Sequence, residues 1–102
     1  MNNQQYLYVL TIGHITGKAH EIEIWYVEHE DGYYIVSEKW EKSHWVQNIH
    51  ANPQVKVRIG QQTFEGIGSI PQDESIIAAV KAKMDAKYQW SDGLVVQLCP
   101  KR

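Results

Sequence analysis

Cysteine is nearly missing from the chain: Cys99 is the single one among 102 residues. One thiol forms no internal disulfide, so a disulfide framework is excluded and a reducing compartment, with the cytoplasm as its default, is expected. Cys99 itself reads as a buried, small apolar side chain. No apolar run approaches the roughly 20 residues that span a bilayer, and the start, Met1-Asn2-Asn3-Gln4-Gln5, lacks the charged and apolar regions of a signal peptide. Positive charge is not in excess either, with ten Lys and Arg against twelve Asp and Glu and a formal net charge of -2. That balance excludes a nucleic-acid protein working by phosphate neutralisation, which needs a clustered surplus of Lys and Arg. Phenylalanine occurs once, against four Trp and six Tyr, so most rings carry a polar tip. Such side chains suit flat ligands and half-wet interfaces, and equally the packing of a barrel.

What is present describes one folded domain spanning 1–102. A hydrophobic fraction of 43% with 22% charged residues is ordinary for a globular chain. A chain this short buries roughly 60–70% of its unfolded surface, and a partner subunit would help cover apolar residues, so a homodimer is expected. Tyr6 to Ile12 is β-branched and aromatic and stops at Gly13, which predicts a strand. Ile22, Ile24 and Tyr26 then alternate with Glu21, Glu23 and Trp25, the period of a strand with one wetter face. Glu30-Asp31-Gly32 supplies a turn, and Tyr33 to Ser37 returns. Ser43 is placed to cap a short helix through His50, which Asn52-Pro53 stops. Val55, Val57 and Ile59 alternate with Lys56 and Arg58 before a Gly60-Gln61-Gln62 turn and a strand from Thr63 to Ile70. From Asp73 to Tyr88, Ile76, Ile77, Val80 and Met84 share one helical face, and this helix is expected to cover a barrel opening. Ser91-Asp92-Gly93 leads into a last strand, Leu94 to Leu98, ended by Pro100. The fold class is therefore mainly β with two helices, an α+β chain whose six antiparallel strands satisfy their edges best by closing into a barrel.

Two segments carry candidate chemistry. Gly13-His14-Ile15-Thr16-Gly17-Lys18 joins two glycines, a threonine and a lysine between strands, a composition that turns backbone N–H groups toward an anion. The P-loop spacing is absent, and an ordinary connector accounts for the segment as well. Ser37-Glu38-Lys39-Trp40 is followed by His44-Trp45-Val46-Gln47-Asn48, bringing a strand end to a helix N-terminus. Trp45 and Asn48 are three apart on one helix face, so an indole flanks a flat ring while an amide meets a ring heteroatom; a core position for Trp45 is the competing reading. The five histidines show no H-E-x-x-H spacing, and His44 and His50 fall on different helix faces, so no metal site is expected. No Gly-x-Ser-x-Gly elbow occurs to support a hydrolase. Glu21 and Glu23 share a strand face and read as a solvated edge.

Together with Ile24-Trp25-Tyr26-Val27, Ala51-Asn52-Pro53-Gln54-Val55, Phe64-Glu65-Gly66 and Ala86-Lys87-Tyr88-Gln89-Trp90-Ser91-Asp92-Gly93, these segments resemble the deazaflavin-dependent nitroreductase family over nearly all the chain. The resemblance implies an FMN-binding type of split β-barrel, related to the pyridoxamine-phosphate-oxidase-like fold and usually dimeric. It implies an oxidoreductase in which reduced deazaflavin, coenzyme F420, gives hydride to a nitroaromatic, quinone or enone. It assigns Thr16, Gly17, Lys18, Lys39, Trp45 and Asn48 to cofactor contacts and puts Trp25 where a substrate-facing aromatic is expected; His14, His20, Ser37 and Glu38 are further cofactor candidates, and Trp25, Tyr26 or Tyr88 would orient the acceptor. No side chain is needed as an acid or base, because the cofactor carries the chemistry. The family's phosphate loop reads Gly-Arg-Lys-Ser/Thr-Gly with a later Arg, whereas here His14 and Ile15 replace the basic pair and His20 stands for the Arg. Permanent charge is thereby lost, which favours weaker phosphate binding or a change of cofactor to FMN. The family often has an N-terminal helix before the first strand; its lack here would leave the pocket more open, with a partner subunit as the missing wall. A non-catalytic barrel that stores a flavin or deazaflavin is the alternative reading, and a purely structural dimer module a third.

Overall fold

Alternation of apolar and polar side chains decides which way each strand faces. In Gln54–Ile59, Val55, Val57 and Ile59 are buried while Gln54 and Lys56 are exposed. In Tyr6–Ile12, Leu7, Val9 and Thr11 are buried in the same way. The computed structural model describes residues 6–13, 17–30 and 32–101. In order these form β1 (Tyr6–Ile12), β2 (Ala19–His29), β3 (Gly32–Ser37), a 3₁₀ turn (Trp40–Lys42), α1 (His44–Ala51), β4 (Gln54–Ile59), β5 (Gln62–Ser69), α2 (Glu74–Tyr88) and β6 (Leu94–Pro100). The strands close into one antiparallel barrel in the order β1-β2-β3-β6-β5-β4, with β4 paired back to β1. The six-stranded architecture with two helices is the one the sequence predicts.

Inside the barrel, Leu7, Val9, Tyr26, Ile35, Val57, Val96 and Leu98 form the core, and α1 adds Val46 and Ile49 to it. The short helix thus plugs one end. Gly68 makes room for the plug, because a Cβ there would lie 2.8 Å from Ile49 Cγ2. Ser43 occupies the N-cap position of α1 but makes no capping bond with its side chain. Its hydroxyl lies 2.6 Å from that of Ser37 instead.

The longer helix does not cover a barrel opening as expected. Val80 and Met84 of α2 pack against Val27, Tyr34, Val36 and Val95, residues that alternate with the interior ones and so lie on the outer face of β2, β3 and β6. At these positions the strands are apolar on both sides, and the outer side needs cover. Asp73 caps α2 by accepting from the Ser75 N–H at 2.9 Å. Gln89, in the left-handed region at φ 60, ends it. Cys99 is exposed, which corrects the expectation of burial: it alternates with the interior Leu98 and lies opposite Ile67, itself 36% exposed, on wall that α2 does not cover. Among the described residues, no helix is long and apolar enough to cross a membrane.

One irregularity in the ladders positions everything that follows. β2 pairs with β1 from Ala19 to Trp25 and with β3 only from Tyr26 to His29. β3 nevertheless continues along β6 as far as Ser37 opposite Leu94. The next pairs in the β2–β3 register, Trp25 with Val36 and Ile24 with Ser37, are not bonded, and the wall splits there.

Candidate functional site

At that split lies a cleft of about 790 Å³, within the range of small-molecule pockets. Ile24, Trp25, Val36 and Ser37 line it from the parted strands, joined by Tyr6 and Glu23, by Glu38, Lys39, Lys42 and Ser43 of the connector, by His44 and Trp45 of α1, and by Trp90. Close approach of the chain behind the cleft shapes one wall. A Cβ on Gly93 would press on the Ser37 carbonyl oxygen and lie 2.6 Å from Val36 Cγ1.

Three indoles give the cleft its aromatic character. Trp45 is half-buried and packs against the barrel core. Trp25 stacks on Tyr88 with ring centres 4.5 Å apart and planes 4° from parallel. Trp90 meets Trp25 edge to face at 6.3 Å, delivered there by the left-handed turn at Gln89. The connector is folded by Ser37, buried to 1% exposure, whose hydroxyl donates to the Trp40 carbonyl at 2.7 Å. Trp40 itself is held at φ 56, a costly conformation for a bulky residue.

The rim is charged with both signs. Lys39, Lys42 and His44 stand among Glu23 and Glu38. Glu23 accepts from the Tyr8 hydroxyl at 2.5 Å, and this bond holds the Tyr8 phenol above its ordinary range. Glu21, one strand position pair away, lies 3.7 Å from Arg58. Both acids sit on the exposed outer face, as a solvated edge should.

The structure brings together Trp25, Ser37, Glu38, Lys39 and Trp45 of the residues singled out by sequence. It sets others apart. Asn48 is buried inside the barrel and donates from Nδ2 to Thr11 Oγ1 at 3.0 Å. Tyr26 faces the core. Tyr88 lies behind Trp25, with burial raising its phenol. His20 is exposed on β2 opposite Thr11. Gly17 and Lys18 belong to the β1–β2 loop, where the Gly17 N–H donates to the Gly13 carbonyl at 2.9 Å and the Gly13 N–H to the Lys18 carbonyl at 2.7 Å. His14 and Thr16 lie outside the described residues. Sequence reasoning left out Tyr6, Lys42, His44 and Trp90 as site residues, because what gathers them is the split between β2 and β3.

Residues 1–92 match the family model described as F420H(2)-dependent quinone reductase. The chain belongs to this family. Among solved structures, the haem storage protein HutZ of Vibrio cholerae is similar at 19% identity and a TM-score of 0.79, covering 98% of this chain and 84% of that one. A putative pyridoxamine 5'-phosphate oxidase of Listeria innocua matches at 16% identity and a TM-score of 0.77, over 96% and 85% of the two chains. A FAD-binding protein of Mesorhizobium loti matches at 12% identity and a TM-score of 0.74, over 99% and 84%. These likenesses establish the fold, a split barrel. No curated protein matches the sequence.

A deazaflavin joins a flat tricyclic ring to an anionic tail, and the donor set suits both parts. Indole walls accept a flat ring, while Lys39 and Lys42 stand on one rim for the tail. The glycine loop is not a tight cradle: Gly17 needs its glycine for φ +74, but a Cβ there would meet nothing within 4 Å.

Proposed function

We propose that this chain is an oxidoreductase that uses reduced coenzyme F420 to reduce a quinone, with cofactor and acceptor sharing the cleft at the β2–β3 split. The observation that carries the reading is the conjunction, in one cleft, of three indoles with two lysines on the rim, in a chain of the F420H(2)-dependent quinone reductase family. The cofactor supplies the hydride. Everything else asked of the protein is placement. Trp45 flanks the flat ring, and its half-buried seat against the core keeps the indole from turning away. Lys39 neutralises the tail at the rim, with Ser37 and Glu38 shaping the backbone around it. Gly17 and Lys18 of the β1–β2 loop and His20 at the start of β2 would extend the contact with the tail. Asn48 serves by tying α1 to β1 through Thr11. Trp25 presents the acceptor with an aromatic wall.

Titration of the purified protein with F420 and, separately, with FMN tests this. We expect saturable binding of F420, tighter than that of FMN. Lys39→Ala should weaken it about fivefold at low salt, the scale of one exposed ion pair, while Lys56→Ala on the far wall leaves it unchanged. Absence of saturable binding by either cofactor, or equal losses in the two variants, would overturn the assignment. Tyr6, 41% exposed at the cleft, supports a homodimer in which a second copy completes the wall.

A further inference from the structure

Where β2 leaves β1, its backbone is met by α2 instead of by a strand. A residue's N–H and C=O point to the same side of an antiparallel strand, and at Tyr26 both are engaged by one side chain. Tyr88 Oη accepts from the Tyr26 N–H at 3.1 Å and donates to the Tyr26 carbonyl at 2.8 Å. Lys87 Nζ donates to the same carbonyl at 3.0 Å. A hydroxyl bonded in both directions fixes the ring that carries it. That ring is the one stacked on Trp25, one residue earlier on β2.

We infer that Tyr88 is a positioning residue for the acceptor: bound to the edge of β2, it holds the Trp25 indole as a rigid wall that selects flat, electron-poor acceptors over puckered ones. The inference rests on the functional reading above for the identity of the acceptor, and it assigns Tyr88 a role that acts through Trp25. With one indole face covered by Tyr88, Trp25 offers the cleft its other face or its edge. Trp90, edge to face at 6.3 Å, borders the same indole. A wall fixed before the ligand arrives spares the ordering cost of forming it on binding. Stacking rewards a planar ligand and gives little to one that is not.

The test measures ligand binding without cofactor, by calorimetric titration of naphthoquinone and of cyclohexenone into wild type, Tyr88→Phe and Tyr88→Leu. Tyr88→Leu should raise the naphthoquinone Kd about three- to tenfold, the scale of one aromatic pair, and leave that for cyclohexenone unchanged. Tyr88→Phe keeps the stacked ring and should restore binding to within about twofold of wild type. If Tyr88→Leu does not give the wild-type far-ultraviolet circular dichroism, Tyr88→His takes its place, with a ring too small to cover the indole. Unchanged selectivity in these variants, equal losses for both ligands, or no naphthoquinone binding by wild type would overturn the inference. Failure of wild type to bind F420 would instead overturn the cofactor reading, because this titration contains none.

Discussion

Asn48 carries an amide into the barrel interior at 4% exposure, one of three buried polar side chains among the described residues, with Thr11 and Ser37. A buried amide is held by its hydrogen bonds, and deleting one partner leaves the other to bear its desolvation. Asn48→Ala would strand the Thr11 hydroxyl, 3.0 Å away, and loosen the plug on which Trp45 sits. Urea denaturation should show a loss of about 1–3 kcal/mol; a change below about 0.5 kcal/mol, the scale of an ordinary surface substitution, would show that the bond does not hold α1. The same residue marks where reading the sequence stopped. Helical spacing places Trp45 and Asn48 together and suggests that both meet one ligand. Spacing does not say that α1 plugs a barrel end, where a half-buried indole opens on the cleft while the amide one turn later is swallowed by the core. Lys39 and Trp45 were legible because the connector and the helix start that bear them are local features.

Element by element, the strands were legible and their partners less so. The alternations in β4 and in β2 as far as Tyr26 announce one-sided burial. The runs Tyr33 to Val36 and Leu94 to Val96 are continuously apolar, the mark of strands covered on both faces, and this is why α2 lies on the wall and not over an opening. The change of partner in the middle of β2 has no local signature, since Trp25 and Tyr26 continue the same period. With it went the cleft, and with the cleft Lys42, His44 and Trp90. Gly93 comes close to β3 at Val36 and Ser37, the residues on the β3 side of the split. Gly93→Ala would drive a methyl into the Ser37 carbonyl and to 2.6 Å from Val36 Cγ1, and backbone cannot yield as a side-chain tip can. We expect a stability loss of about 1–3 kcal/mol, with ligand affinity falling as well, because Val36 and Ser37 line the cleft. A variant with wild-type melting temperature and affinity would show that β3 moves freely at this point and does not define the site.

At the scale of the whole molecule, the tyrosines tie stability to pH. Tyr26, Tyr33, Tyr34 and Tyr88 all have phenols raised above their ordinary value of 10.0, in each case chiefly by burial. The unfolded chain releases these protons near pH 10.0 while the folded barrel still holds them, so protonation favours the folded state over that window. Their contribution is complete below the unfolded value and is lost as pH climbs through the folded ones. Lys87 works the other way. Burial lowers its ammonium below the ordinary 10.5, so the folded chain gives up that proton first and gains stability as pH rises toward 10.5. With the Tyr8 phenol, raised by its bond to Glu23, five phenols oppose one ammonium, and the phenols should decide the sign. Unfolding free energy from urea titrations should therefore be flat from about pH 7 to about pH 9 and fall beyond about pH 10. Phenolate absorbance measured alongside should lag in the folded protein and jump on unfolding. A stability curve that stays level or rises above pH 10, or phenols that all titrate freely before the barrel opens, would mean that these rings are not shielded from water, in the core or under α2.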